Sequence, residues 1–362
     1  MESNINWLHL PDIVWELILS NLRTKCLLRA SESCKKFNYL LSDSKRLMDK
    51  ISLRLWNKYE SRFYRYHPKK LKTNEGCLDE LKLLKECLEN SARKYDGIII
   101  NNLGSATENN MMDVIFEILE LDCISGSVKQ ITFCNTLLED NSFYKIIQIM
   151  KNLKVLKFEE YCDPIDTEAV SEIIRPDIVS SINEIHIIQC RSISFQKLML
   201  FDSLTILKVD IYDLKDGSFE NFLLMQKELK VLHLFNLDGI FDTDLLTNNI
   251  KFTLDELSLN KVDWENDENA MKFFKTQTNL KKITLNEEYL YIISYREIII
   301  HLFGNNLQLK TVVITNYNHF GDNIENFSFL EGIINPSVEN LELSLDLSQN
   351  ADKTIAAFTN KL

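Results

Sequence analysis

Leu229-Lys230-Val231-Leu232-His233-Leu234 places apolar residues at its first, fourth and sixth positions, and Leu254-Asp255-Glu256-Leu257-Ser258-Leu259 repeats the spacing. Working outward, the same pattern occurs at 128–133, 153–158, 182–187 and 204–209, and again at 280–285, 309–314 and 338–343. Tyr95-Asp96-Gly97-Ile98-Ile99-Ile100 is a plausible opening of the series. From Val128 the successive starts lie 25, 29, 22, 25, 25, 26, 29 and 29 residues apart. Alternation of apolar and polar residues within each copy predicts a strand. Between copies, stretches such as 143–149 and 270–274 have helical periodicity. One strand and one helix cannot enclose a core, but stacked units bury one another's apolar faces. The fold class expected is therefore α/β, with a parallel sheet lining a concave face and helices outside.

Motif and period together resemble leucine-rich repeats. The resemblance implies a solenoid of about ten repeats over residues 93–362. Such repeats often carry Asn or Cys eight residues after the first leucine, where the side chain bonds loop backbone. Here those positions hold Thr136, Tyr161, Cys190, Tyr212, Leu237, Val262, Glu288, Tyr317 and Asp346, and only Cys190 fits. A divergent array is expected. The final residues, Phe358-Thr359-Asn360-Lys361-Leu362, read like the run into another strand, as in Gln277-Thr278-Asn279-Leu280. The array therefore either ends bluntly on its last helix or is a shortened form.

The first 50 residues follow different rules. Leu10-Pro11-Asp12 opens a helix, because proline suits the first turn, where its missing N–H is not needed. Ile13, Val14, Leu17, Ile18 and Leu22 follow at helical spacing, then Leu27, Leu28, Ala30, Cys34 and Phe37, then Leu40, Leu41 and Leu47. Three short helices bury little surface by themselves, so several of these apolar positions await a partner. The segment resembles the F-box motif, with Leu10-Pro11-Asp12, Leu17-Ile18-Leu19, Leu27-Leu28, Cys34-Lys35-Lys36-Phe37 and Ser42-Asp43 carrying the likeness. Lys25, Ser33 and Leu47 depart from the family pattern.

That resemblance implies a three-helix F-box over residues 1–50 which binds the Skp-type adaptor of SCF ubiquitin ligases and, through it, a cullin and RING scaffold. Leu10, Pro11, Ile13, Leu17, Ile18, Leu27, Leu28, Cys34 and Phe37 are the candidates to make or shape this contact. Residues 51–92 are expected to be a helical linker, from 51–56 and 78–84. The basic aromatic stretch 62–70 between them reads as a packed linker rather than a nucleic-acid surface.

A substrate would meet the strand residues that alternate with the core. Lys157, Glu159, His186, Lys208, Asp210, His233 and Phe235 are in such positions, with Trp264 just beyond a strand, and Phe235 is the best anchor. Tyr161, Tyr212, Tyr289 and Tyr317 either join that surface or cap the repeat core in place of the missing Asn ladder.

Composition restricts the function classes. The net charge of −12 divides into +7 over residues 1–75 and −19 over the rest. An acidic body repels phosphate, so no nucleic acid is expected. By charge complementarity a basic ligand is the simpler guess unless Lys157, Lys208 and Lys282 form a local basic patch. No run is apolar enough for a membrane span, and no secretory leader is visible. Eight cysteines without a CxxC pair fit a reducing compartment, and the localisation expected is cytoplasmic or nuclear. Neither metal nor cofactor is expected, and no P-loop, GxGxxG, GxSxG or HExxH occurs. Cys134 and Cys162 sit in the acidic body and Cys34 in a packed motif, whereas a thioester-forming cysteine needs an exposed, electropositive site. The function expected is a non-catalytic substrate receptor of an SCF-type ligase. The alternative is a repeat-based binding or scaffold protein without ligase output.

Overall fold

A computed structural model describes residues 10–22, 24–44, 47, 52–56, 74–91, 93–101, 109–136, 140–160, 179–190, 193, 195–211, 218–241, 250–264, 267–286, 300–302, 304–316 and 337–345. The chain forms two compact units, Met1–Ser181 and Ile182–Leu362.

The first unit begins with three helices, α1 (Asp12–Ser20), α2 (Thr24–Ser33) and α3 (Lys35–Asp43). Leu19, Leu27, Leu40, Leu41 and Leu47 are buried in this module. Strand β1 (Ser52–Trp56) follows, then α4 (Asn74–Glu89), β2 (Gly97–Asn101), α5 (Asn109–Glu120), α6 (Asp122–Ser125), β3 (Gln130–Cys134), α7 (Asp140–Ile149) and β4 (Val155–Glu159). Each strand pairs in parallel with the next, so Leu53, Ile98, Ile131 and Leu156 form one buried row. Parallel neighbours require a crossover, which α5–α6 and α7 supply. Phe143 of α7 packs 5.6 Å from Phe133 and 5.9 Å from Phe158, so the core lies between strands and helices.

The second unit contains β5 (Glu184–Cys190), β6 (Ile206–Ile211), α8 (Ser218–Met225), β7 (Val231–Phe241), β8 (Glu256–Trp264), α9 (Asp267–Thr276), β9 (Lys282–Asn286), β10 (Thr311–Asn316) and β11 (Asn340–Leu345). Sequential parallel pairing continues from β5 to β11. Ile185, Leu207, Leu232, Leu257, Ile283, Val312 and Leu341 stand opposite one another in turn. Residues equated by the sequence period are thus the residues paired in the sheet. This open parallel arrangement is consistent with a repeat solenoid.

Residues 51–56 were expected to be helical, but Ser52–Trp56 is a strand. Its true period is two: Leu53 and Leu55 are buried, while Ser52 and Arg54 are exposed. Parallel pairing therefore starts at β1, ahead of the segment around Tyr95. The basic aromatic stretch at 62–70 and the chain end at 358–362 lie outside the described residues.

Two polar devices bind successive strands together. At the starts of β3, β4 and β6 to β11, one carbonyl of the preceding strand's start accepts two consecutive backbone N–H groups. Lys230 O takes Asp255 N at 2.8 Å and Glu256 N at 3.0 Å, and Asp255 O then takes Lys281 N and Lys282 N at the same distances. Beside this ladder lie three buried amides, Gln226, Gln277 and Asn306. Gln226 donates to Phe201 O at 2.9 Å and Phe222 O at 3.2 Å, and accepts from Leu204 N at 3.2 Å. Gln277 accepts from Leu254 N at 2.9 Å, and Asn306 donates to Gln277 O at 3.1 Å. Buried backbone groups left open between strands are costly, and these amides satisfy them.

At the strand exits, Asn135, Glu160, Gln189 and Asn236 all have left-handed backbone, with φ of 48°, 64°, 55° and 52°. Each stands five residues after the start of its aligned strand segment, so the same turn recurs. After Asn135, Gln189 and Asn236 the next residue turns back into the core. Thr136 is buried there and donates to Ile100 O at 3.2 Å and Cys134 O at 2.9 Å. Cys190 makes the corresponding contact with Ile188 O at 3.8 Å. Cys190 alone has the residue type of the family pattern, and the Thr136 hydroxyl makes the same kind of contact.

Candidate protein-binding surfaces

Helix α1 starts at Pro11, whose carbonyl accepts from Val14 N at 3.0 Å and Trp15 N at 3.2 Å. Asp12 in the first turn suits the positive end of the helix dipole. The helix is apolar around much of its circumference. Leu19 is buried, whereas Ile13, Leu17 and Ile18 are 66%, 52% and 42% exposed. Ile13 and Leu17 are i and i+4 on one face, and Ile18 lies beside them about 100° around the helix from Leu17. A helix of only 9 residues with three large exposed apolar side chains presents a docking face.

The Cys-Lys-Lys-Phe signature holds this face in place. Cys34 is the N-cap of α3, and its Sγ accepts from Phe37 N at 3.4 Å. Lys36 Nζ reaches back to Leu10 O and Asp12 Oδ1, each at 3.0 Å. The ring of Phe37 meets that of Trp15 edge-on at 4.7 Å. Three contacts thus clip the start of α3 to the start of α1. Ser33, which departs from the family pattern, is exposed and donates to Ala30 O at 2.6 Å.

Among the expected adaptor residues, Pro11, Ile13, Leu17 and Ile18 are exposed, and Leu10, Cys34 and Phe37 are half-buried. Leu27 is fully buried and lies in the module's core rather than on its surface. The side chain of Leu28 is outside the described residues.

The second surface belongs to the strands. In the second unit, His186, Lys208, His233, Ser258 and Thr284 form one row across β5 to β9. Asp210, Phe235, Asn260 and Asn286 form the adjacent outward row across β6 to β9. His186 is buried and its Nε2 lies 2.5 Å from Glu184 Oε1, so its ring is already engaged. Glu256 Oε1 accepts from Lys282 Nζ at 2.8 Å and lies 3.0 Å from His233 Nε2. Burial pushes the His233 pKa down, and its bond to Glu256 only partly offsets this. Burial pushes Glu256 up, but Lys282 and His233 together outweigh it and hold the carboxyl below its usual range. Phe235 is half-buried, with its ring 6.0 Å from that of His233.

Lys157 and Glu159 are half-buried outward positions of β4 in the first unit. Trp264 closes β8 opposite Phe241, and its side chain is outside the described residues. Tyr161, Tyr212, Tyr289 and Tyr317 also lie outside them. Lys282 is paired with Glu256 and Lys157 stands in the other unit, so the structure brings together no patch of Lys157, Lys208 and Lys282 within one unit.

Among the described residues, no cluster of His, Cys, Asp and Glu could hold a metal ion, and no helix is long and apolar enough to cross a membrane. Sequence reading missed the amides Gln226, Gln277 and Asn306. A signal was present, since each precedes the first leucine of a repeat by three residues.

Comparison with curated proteins finds no match. A protein-family model described as the F-box domain matches residues 7–49, the segment that holds α1, α2 and α3. The N-terminal module, with its exposed α1 face, is an F-box domain.

Proposed function

We propose that this chain is the substrate-recognition subunit of an SCF-type ubiquitin ligase. The observation that carries the reading is the F-box domain at 7–49, with Ile13, Leu17 and Ile18 exposed on its first helix. In this reading that face binds a Skp-type adaptor, and the adaptor connects to a cullin and RING scaffold. Leu10, Pro11, Ile13, Leu17, Ile18 and Phe37 form or flank the contact. Leu27 and Cys34 shape the helices beneath it, and Leu28 is a further proposed adaptor residue.

The strands form a leucine-rich-repeat solenoid that begins at β1 and holds a protein substrate on its outward rows. In-register recurrence of the apolar motif from β5 to β11 supports this part. Lys157, Glu159, Lys208, Asp210, His233, Phe235 and Trp264 are the proposed substrate positions, with His186 supporting them from below. The receptor performs no chemistry itself. It raises the effective concentration of substrate lysines near a charged ubiquitin-conjugating enzyme, a proximity effect. Its place of action is the cytoplasm, the nucleus or both.

Co-purification with a Skp-type adaptor and cullin tests the reading. The intact chain should capture both stoichiometrically, and the Pro11→Ala/Leu17→Asp form should lose them. Failure of the folded intact chain to capture either would leave a repeat protein without ligase output.

A further inference from the structure

The outward rows of the second unit change character along the sheet. From β8 to β10 one row reads Ser258, Thr284 and Val313, and the other Asn260, Asn286 and Thr315. None of these is charged. Lys208 on β6 and Glu342 on β11 bound the first row at its two ends; beside the patch itself, Glu256 and Lys282 are bound to each other, and Asp210 on β6 accepts from Asn236 Nδ2 at 2.9 Å. A ligand carrying many charges of either sign would therefore find these groups already satisfied, and its own charges would lose water without return.

What the patch does offer is amide chemistry. Asn260 and Asn286 lie opposite each other on adjacent strands, about 4.8 Å apart in a parallel sheet. Both are half-buried, and neither side chain bonds to another group among the described residues. Each carboxamide has two donors and an acceptor, which matches the alternating N–H and C=O of a peptide backbone. On the other side of Asn260 stands Phe235, whose half-buried ring supplies an apolar surface.

Building on the substrate-receptor reading above, we propose that this face binds an extended, unphosphorylated and weakly charged segment of the substrate. Its backbone bonds to Asn260 and Asn286, and one apolar side chain rests on Phe235. The acidic composition alone favours a basic ligand. The structure redirects that expectation, because the carboxylates beside this patch, Asp210 and Glu256, already have partners.

The test is selection from a phage-displayed library of random peptides on the full-length chain. Peptides of about ten residues suffice, since four strand spacings from β6 to β10 span roughly 19 Å. Selected peptides should share an apolar residue among uncharged neighbours. Binding should fall about tenfold or more in the isosteric Asn260→Asp/Asn286→Asp form, which replaces donors with repulsive carboxylates, and also in Phe235→Ala. Each variant should still melt as a folded protein, somewhat below the parent, because these side chains are half-buried. Selection of mainly acidic or mainly basic peptides would overturn the proposal. So would unchanged binding in the folded Asp/Asp form, or a chain that captures its adaptor yet selects no peptide. If peptides bind as described but the adaptor is not captured, the ligase reading falls and this inference stands.

Discussion

Replacing Ile13 and Leu17 together with aspartate should separate folding from adaptor binding. The two side chains are 66% and 52% exposed, so much of their burial is left for a docked partner. Full burial of such a side chain contributes about 1.5–3 kcal/mol. The fraction still exposed here would contribute about 1–2 kcal/mol for Ile13 and about 0.8–1.5 kcal/mol for Leu17 on docking. Desolvating two new carboxylates adds to the loss, for a total of at least ~3 kcal/mol, or more than about a hundredfold in Kd. Stability should fall by only about 1–2 kcal/mol, from the part of each side chain that is already buried, since aspartate suits the first turn at position 13 but not the last turn at position 17. Calorimetric titration with a purified Skp-type adaptor reads the first quantity, and thermal melting reads the second. A Kd within about threefold of the parent value, in a double variant that remains folded, would refute the assignment of this face.

Three other outcomes follow from the packing. Gln226→Ala should leave Phe201 O and Leu204 N unpaired in a buried setting and cost about 2–4 kcal/mol, read from the urea midpoint; a change below ~1 kcal/mol would contradict the amide ladder. Cys34→Ala should lower the stability of the F-box domain by about 0.5–1 kcal/mol through the lost N-cap, whereas Cys34→Ser should hold it, and equal losses in both would show that the cap is unimportant. Acidification should weaken the second unit. Folded His233 resists its proton, so its contribution is intact above the ordinary value of 6.5 and declines as the pH falls below it. The depressed carboxyl of Glu256 adds stability above its ordinary value of 4.5, which is lost as the pH falls through its folded value. Urea midpoints at pH 7 and pH 5.5 should therefore differ less in His233→Gln than in the parent chain.

Register was the most legible property of this chain. A buried row must be apolar, so Leu207, Leu232, Leu257 and Ile283 announced their pairing through spacing alone. Strand β1 escaped because five residues ending in Trp56 fit a helix face as readily as a strand, and no full motif surrounds them. The amide ladder escaped for a different reason. Gln226 and Gln277 bond to backbone groups more than 20 residues away, and that partnership exists only once the strands are stacked. In the F-box domain, apolar spacing could not tell Leu27 from Ile13, since both fit helical patterns. Which one faces the core depends on how α1 is clipped to α3 by Lys36 and Phe37.

The central claim is that the chain delivers substrates to a ubiquitin ligase through its F-box domain. Quantitative ubiquitin-remnant proteomics, under proteasome inhibition, tests it most directly by comparing cells that express the intact chain with cells that express the Ile13→Asp/Leu17→Asp form at equal level. The account predicts a defined set of proteins whose lysine modification depends on the intact chain and which co-purify with both forms. Identical remnant profiles, with the intact chain folded and bound to its adaptor, would contradict it.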